Sequence, residues 1–393
     1  MDVHNGRHRL AIVAGLGTTQ TLAWASSYYL VAILADPMAR DLQISTTNVF
    51  AAYSAALLIS AVVGPRVGRT IDRLGGREVL AVSNLLYASG LVLLAMANSA
   101  YLLWAGWLLL GAAMGLGLYD AAFATLGRYY YEDARSSITG ITLIAGFAST
   151  VGWPLSAWGE AEIGWRATCL AWAAAHILIG LPLNLRVLPR VAAPAKIAEA
   201  GAKPHLPMDR AMWLLGFAFA AGWIVSTAMA SHLPRLLEAS GASARDAVAA
   251  AALVGPGQVA ARLLEAGYLS RFHPLVSARL STIAHPLGAG LLLAGGGWLA
   301  VPFTLLHGAG NGILTIARGT VPLAIFGSRN YGYRLGLLGA PARIAQAGAP
   351  LAFDAIIDAF GPRALYVSTA LCLAALAALV AVGSHAPPPS EPA

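Results

Sequence analysis
Charge is scarce. Of 393 residues only 25 are Lys or Arg and 18 are Asp or Glu, so 11% carry a formal charge, against roughly 25% in an ordinary soluble domain. Lysine is nearly missing: Lys196 and Lys203 stand against 23 arginines, and with the abundance of Ala and Gly this usage points to a GC-rich, bacterial genome. The two cysteines, Cys169 and Cys372, both lie inside apolar runs, so no disulfide framework is implied. The net charge of +7 does not collect on a polar domain able to present a groove-reading surface, which excludes nucleic acid as a partner. The chain has no His-Glu-x-x-His zinc pattern, no Gly-x-Ser-x-Gly nucleophile turn and no nucleotide-binding loop. An enzyme and an ATP-driven pump are therefore disfavoured, and no cofactor is implied. The alternating apolar and polar pattern of a membrane barrel is also absent.

Apolar residues are plentiful. They make up 58% of the chain, about 228 positions, close to the ~240 that twelve spans of ~20 residues need across a ~30 Å hydrocarbon layer. Long apolar runs lie at 10–34, 46–67, 77–97, 100–127, 137–158, 165–187, 211–235, 247–269, 275–295, 299–326, 334–359 and 363–384. Because each unsatisfied peptide group costs several kcal/mol in lipid, every run is expected to be a helix. The first is too long for a signal-peptide core and lacks a clean cleavage site, so it is expected to be retained. The polar break from Leu188 to Arg210, with Pro189, Pro194, Pro204 and Pro207, divides the chain into six-helix halves. The expected fold is an all-α membrane protein, with twelve transmembrane helices in two pseudo-symmetric six-helix bundles. Its expected parts are 1–187, a cytoplasmic linker 188–210, a second bundle 211–384 and a disordered tail 385–393 rich in Pro.

Cations set the orientation. With the N-terminus in the cytoplasm, seventeen of the 25 fall on the cytoplasmic side and five on the other. Both termini are therefore expected in the cytoplasm of a multi-pass protein of a bacterial inner membrane. The remaining three, Arg262, Arg318 and Arg343, fall within spans 8, 10 and 11.

The break after span 2 reads Gly68-Arg-Thr-Ile-Asp72-Arg73-Leu-Gly75-Gly76-Arg77. It resembles the loop signature of the major facilitator superfamily, Gly-x-x-x-Asp-Arg-x-Gly-basic-basic, with Gly76 in the first basic position. Glycine permits a tight loop and close helix approach, Asp72 can meet the positive end of a neighbouring helix, and the arginines can pair across the halves. The alternative is a basic loop that serves topology alone. The resemblance implies a cytoplasmic latch formed by Gly68, Asp72, Arg73, Gly75 and Arg77. It also implies the major facilitator fold, a single site between the halves opened alternately to each side, and a monomer. Span 8 ends in a decayed copy, Ala266-Gly-Tyr-Leu-Ser270-Arg271-Phe-His273, whose acid has become Ser270. Gly111 and Gly115 in span 4 are matched by Gly308 and Gly312 in span 10, a spacing that lets helices approach closely.

An arginine at the bilayer centre costs at least ~2.5 kcal/mol, so each embedded one needs a partner or an aqueous cavity. Arg262 follows Gly255-Pro256-Gly257-Gln258. This resembles the span-8 arginine of oxalate and monocarboxylate carriers, with Leu263 where proline is common there, and the resemblance implies a carboxylate ligand. The planar guanidinium fork suits a carboxylate; internal pairing with Glu265 is the alternative. In span 10, His307, Asn311, Thr315 and Arg318 form one polar stripe at helical spacing. On the family's plan spans 1, 4, 7 and 10 line the cavity. Span 1 then offers Gln20, Trp24 and Tyr28, and span 7 offers Trp223 and Thr227; such aromatic stripes also serve packing. Arg343 lies nearer the cytoplasmic end, where a gating or structural role is expected.

Asp120 in span 4 is the one acid placed well inside a helix of the first half, and the glycine repeat aligns it within one residue of Arg318. A carboxyl balanced between burial and a cation suits proton coupling; a permanent ion pair is the alternative. His176, His232 and His285 lie singly in apolar spans and are expected to be hydrogen-bonded packing residues. The leading function is a symporter or exchanger of a small organic anion, monocarboxylate-like, in the lipid bilayer, with a proton as the coupling ion. The rival is a proton-driven exporter of drugs or hydrophobic metabolites. Such antiporters often carry Gly-Pro-x-x-Gly-Gly in span 5, and Gly146 to Pro154 departs from it.

Overall fold
A backbone amide inside hydrocarbon has to find its partner within its own segment, and the chain meets that demand with helices. The computed structural model describes residues 6–190 and 208–383. Among these there is no strand. The centre of the expected linker and the Pro-rich tail lie outside the described residues.

The order begins with α1 (Gly6–Ala23), a π-helical turn (Trp24–Tyr28), α2 (Val31–Asp41), α3 (Thr46–Leu74), α4 (Arg77–Ala95), α5 (Ala100–Gly117) and α6 (Tyr119–Tyr130). Then come α7 (Ala134–Ala145), α8 (Ala148–Ala175), a second π-helical turn (His176–Gly180) and α9 (Leu181–Val187). They are followed by α10 (Arg210–Ala239), α11 (Ala244–Ala251), α12 (Val254–Gly267), α13 (Pro274–Gly295), α14 (Ala300–Phe326), α15 (Tyr331–Phe360) and α16 (Ala364–Ala381).

Among the described residues eight helical stretches are long and apolar enough to cross a membrane. Two of them, Ala134–Val187 and Pro274–Phe326, run for 54 and 53 residues. At ~1.5 Å per residue each would reach on the order of 80 Å, far more than one crossing. The first is broken at Gly164 (φ +79°, ψ 161°) and the second at Gly296 (φ +61°). With the α1–α2 segment and α15, the described residues account for twelve crossings. Gly164→Ala should lower stability by about 1–3 kcal/mol through backbone strain. Nothing lies within 4 Å of an added Cβ there, so thermal unfolding in detergent would read the strain alone.

Some boundaries differ from the apolar runs, for local reasons. Span 1 is not one regular helix: the π-helical turn interrupts it and the helix continues to Asp41. Span 4 breaks at Leu118, whose extended backbone separates α5 from α6. Asp120 consequently sits in the first turn of α6 rather than deep inside a continuous helix.

The helices group into two compact units. One comprises the described part of Met1–Leu206 together with Ser328–Ala340, the other the described part of Pro207–Gly327 together with Pro341–Ala393. This departs from a division by chain order in one place, since the first ten residues of α15 group with the first unit.

Within each unit the same glycine device seats a helix pair. A Cβ on Gly111 of α5 would strike the Ala56 backbone of α3, and Gly115 faces Ser60 and Val63. In the second unit Gly308 and Gly312 of α14 lie against the Val254 and Gln258 backbones of α12. Large apolar side chains such as Val62, Trp158, Leu178, Trp213 and Trp298 are exposed, as lipid-facing surfaces require.

The two π-helical turns of the first unit meet at a buried histidine. His176 lies 2.9 Å from Asn84 Oδ1 and 2.8 Å from Ser26 Oγ, with the Tyr87 ring stacked on it at 4.6 Å. Asn84 Nδ2 already donates to the Leu80 carbonyl, so His176 Nδ1–H donates to Oδ1 and Nε2 accepts from Ser26. Every polar atom of this imidazole is satisfied, in keeping with a packing role.

Candidate substrate and gating sites
Within the second unit Asn311 and Arg318 of the α14 stripe face α10, whereas His307 turns to His285 on α13. Arg318 lays its guanidinium over the Trp223 ring, 4.5 Å from the centroid, a cation–π contact that gains strength when desolvated. Ser226 Oγ donates to Asn311 Oδ1 at 2.9 Å, and Thr315 Oγ1 donates back to the Asn311 carbonyl at 3.0 Å. No hydrogen bond from Asn311 Nδ2 occurs among the described residues. From α15, Gln346 Nε2 donates to Thr227 Oγ1 at 3.3 Å. Arg343 is buried one turn before Gln346, on the same side of α15.

Arg262 comes from α12 and is 3% exposed. Nε donates to the Gly312 carbonyl at 3.4 Å and Nη2 to Gln258 Oε1 at 3.3 Å. Both acceptors are neutral. Nη1 is buried without a hydrogen-bond partner among the described residues. Glycine at 312 is what lets α12 come near enough for this reach, because a Cβ there would meet the Gln258 backbone.

In the first unit Gln20, Trp24 and Tyr28 belong to a different environment. Gln20 is 1% exposed and donates to the Gly117 carbonyl at 2.6 Å, holding the end of α5 where the chain breaks before Asp120. Trp24 packs on Tyr28 and Tyr119, with centroids 4.9 and 5.0 Å away. Tyr28 continues to Tyr53, and Tyr53 to Trp107. Gln20→Leu would leave the Gly117 carbonyl unsatisfied at about 1–3 kcal/mol and remove the buried Oε1, unpartnered among the described residues, so thermal unfolding of the purified variant should register a loss at the lower end of that range.

The loop after α3 grips the start of α15. Asp72 Oδ1 accepts from Gly332 N–H at 2.7 Å and Oδ2 from Tyr333 N–H at 2.8 Å, two first-turn donors that a helix leaves unpaired. Gly68 makes the approach possible: an added Cβ would overlap the Gly332 carbonyl. Arg69 lies over the Tyr333 ring at 4.5 Å. Gly75 ends α3 with φ +86°, and Arg73 is exposed. Arg77 turns instead to α9, donating to the Leu185 carbonyl at 3.1 and 2.7 Å and to Glu78 at 3.0 Å. In the decayed copy, Ser270 Oγ donates to Ala266 of its own turn.

Several partners were missed from sequence. Ser226 and Gln346 carry no signal of their own, although Gln346 lies three residues after the flagged Arg343. Gly332 and Tyr333 open a helix, and only their N–H groups take part.

A model described as the Major Facilitator Superfamily matches residues 16–304. A Thermoproteus tenax protein, described as an uncharacterised 38 kDa protein in the 23S RNA operon, is 29% identical over 366 residues, with 92% of each chain covered. Among solved structures the chain is similar to the E. coli fucose:proton symporter FucP, with a TM-score of 0.73 at 16% identity, covering 94% of this chain and 98% of that one. It is also similar to the human organic anion transporter MFSD10, with a TM-score of 0.69 at 17% identity, covering 95% and 99%. At such identities the structural likeness is one of fold.

Proposed function
This chain belongs to the Major Facilitator Superfamily, a multi-pass membrane transporter and not an enzyme, and we propose that it moves a small organic anion, monocarboxylate-like, by alternating access. The observation that carries this reading is Arg262, a buried guanidinium hydrogen-bonded to two neutral acceptors with one nitrogen left over. Burying a cation is costly unless it is paired, and a carboxylate would supply both the charge and the acceptor that Nη1 lacks. Arg318 and the Asn311 amide add donors on the adjoining stripe. Two of the solved structures it resembles are described as a proton symporter and an organic anion transporter, which supports the class without specifying the cargo.

Asp120, at the start of α6, is the group we assign to proton exchange in the first unit. Asp120→Asn should stop pH-driven uptake and leave exchange at equal pH intact; intact pH-driven uptake would remove Asp120 from coupling. The grip of Asp72 and Gly68 on α15 is assigned to a cytoplasmic gate, and the excess of cations on one side to cytoplasmic termini.

Thermal-shift measurement of the purified protein against carboxylates, amines, sugars and lipophilic cations tests the substrate class. A ligand at 100 times its Kd stabilises the folded state by about 2.7 kcal/mol. Stabilisation by lactate or oxalate is expected. Stabilisation by lipophilic cations alone would favour the exporter and overturn the anion assignment.

A further inference from the structure
The hydrogen bonds around His285 and His307 run in one direction. On α16, Ser368 Oγ lies 3.0 Å from the Leu365 carbonyl and 2.9 Å from His285 Nε2. A hydroxyl has one proton to give. Donated to Leu365, it leaves Oγ to accept from His285 Nε2–H. His285 Nδ1 is then a lone pair, and His307 Nδ1, 3.0 Å away, has to be the donor. His307 therefore keeps its own lone pair at Nε2, where no hydrogen-bond partner occurs among the described residues. The reverse direction would take the Ser368 proton away from the Leu365 carbonyl and lose that hydrogen bond. The two rings are 3% and 5% exposed and Ser368 is fully buried. Phe303, also fully buried, packs at 5.6 Å from His285 and 6.2 Å from His307.

We propose that His307 Nε2 is a proton-binding site in the second unit, distinct from Asp120, and that His285 and Ser368 hold its lone pair in readiness through a one-way chain ending at the Leu365 carbonyl. A proton arriving at Nε2 from water makes an imidazolium whose Nδ1–H is already donated to His285. No existing hydrogen bond breaks and neither ring changes tautomer. The site begins the stripe that continues through Asn311, Thr315 and Arg318, with Asn311 one turn away. This inference rests on the reading of that stripe as the anion site. An imidazolium in a water-poor interior is unfavourable alone and favourable beside a negative ligand, so proton and anion should each tighten the other's binding by the same factor.

The helices packed around the pair carry other titratable groups. These are Arg279 on α13, Arg318 further along α14, Tyr366 and Cys372 on α16, Arg210, His232, Arg235 and Glu238 on α10, Arg245 and Asp246 on α11, and Arg262 and Glu265 on α12. Arg279 is occupied by the Leu379 carbonyl, Asp246 by Ser243 and Arg318 by Trp223.

The test is nitrogen-15 NMR of the full chain labelled at histidine, in lipid nanodiscs, with His285→Gln and His307→Gln assigning the signals. At high pH His285 should show the Nε2–H tautomer and His307 the Nδ1–H tautomer. On acidification His307 alone should gain its second proton, at a higher pH with saturating lactate than without. Ser368→Ala removes the acceptor and should let His285 populate both tautomers. An Nε2–H tautomer at His307, or no protonation of it down to the pH of unfolding with or without lactate, would overturn the proposal. If the tautomers and the titration hold but no carboxylate in the panel binds, the proton site stands and the anion assignment falls.

Discussion

Carboxylate uptake into proteoliposomes should fall about 100-fold when Arg318 is replaced by Gln, with the protein still inserted and folded. A charge-assisted hydrogen-bond pair contributes about 1.5–3 kcal/mol, and 2.7 kcal/mol is a factor of about 100 in affinity. Gln keeps a donor but loses the charge and the contact with Trp223. Arg318→Lys should fall between, roughly 10-fold, because an ammonium retains charge without the planar fork. Arg262→Gln should match the Arg318 loss and also relieve the unpartnered Nη1, so its melting temperature should hold or rise while uptake is lost. Unchanged uptake in both Gln variants would dispose of the anion site, whatever their stability.

Gly68→Leu is expected to free the start of α15 and abolish transport. The added Cβ would fall on the Gly332 carbonyl, and backbone cannot rotate aside as a side chain can. Overpacking costs about 1–3 kcal/mol and sometimes more. Separation also forfeits the two bonds that Asp72 accepts from Gly332 and Tyr333, adding about 1.5–3 kcal/mol. Hydrogen exchange at those two amides is the direct readout, and their protection should be lost. Asp72→Asn is the milder control: it keeps the shape but sets an NH2 against one N–H donor, so partial loss of protection at the same amides is expected. Full protection in both variants would refute the latch.

Much of this was legible because it is local. The loop from Gly68 to Arg77 carries its spacing in consecutive residues, and Asp72 was expected to meet a helix start, which it does. The glycine pairs at 111/115 and 308/312 mark one face of a helix and so announced close packing, found against α3 and α12. The histidines show where this stops. His307 was visible as part of a stripe and His285 as a solitary polar residue, but their contact joins α13 to α14 across 22 positions, and its direction depends on Ser368 of α16. Arg77 could have paired with any carboxylate or carbonyl in reach, and a basic residue does not encode that its acceptor is the Leu185 carbonyl.

By themselves, the apolar runs and the scarcity and placement of charge determined an all-helical membrane chain of twelve crossings, because span length and the cost of burying ions are properties of each segment alone. Only the tertiary structure decided which N–H groups Asp72 accepts from, that the first turns of α15 join the first unit, and where the buried guanidiniums and imidazoles find partners. Those outcomes depend on contacts between helices distant in the chain, and a side chain's own sequence neighbourhood does not say which helix will arrive beside it.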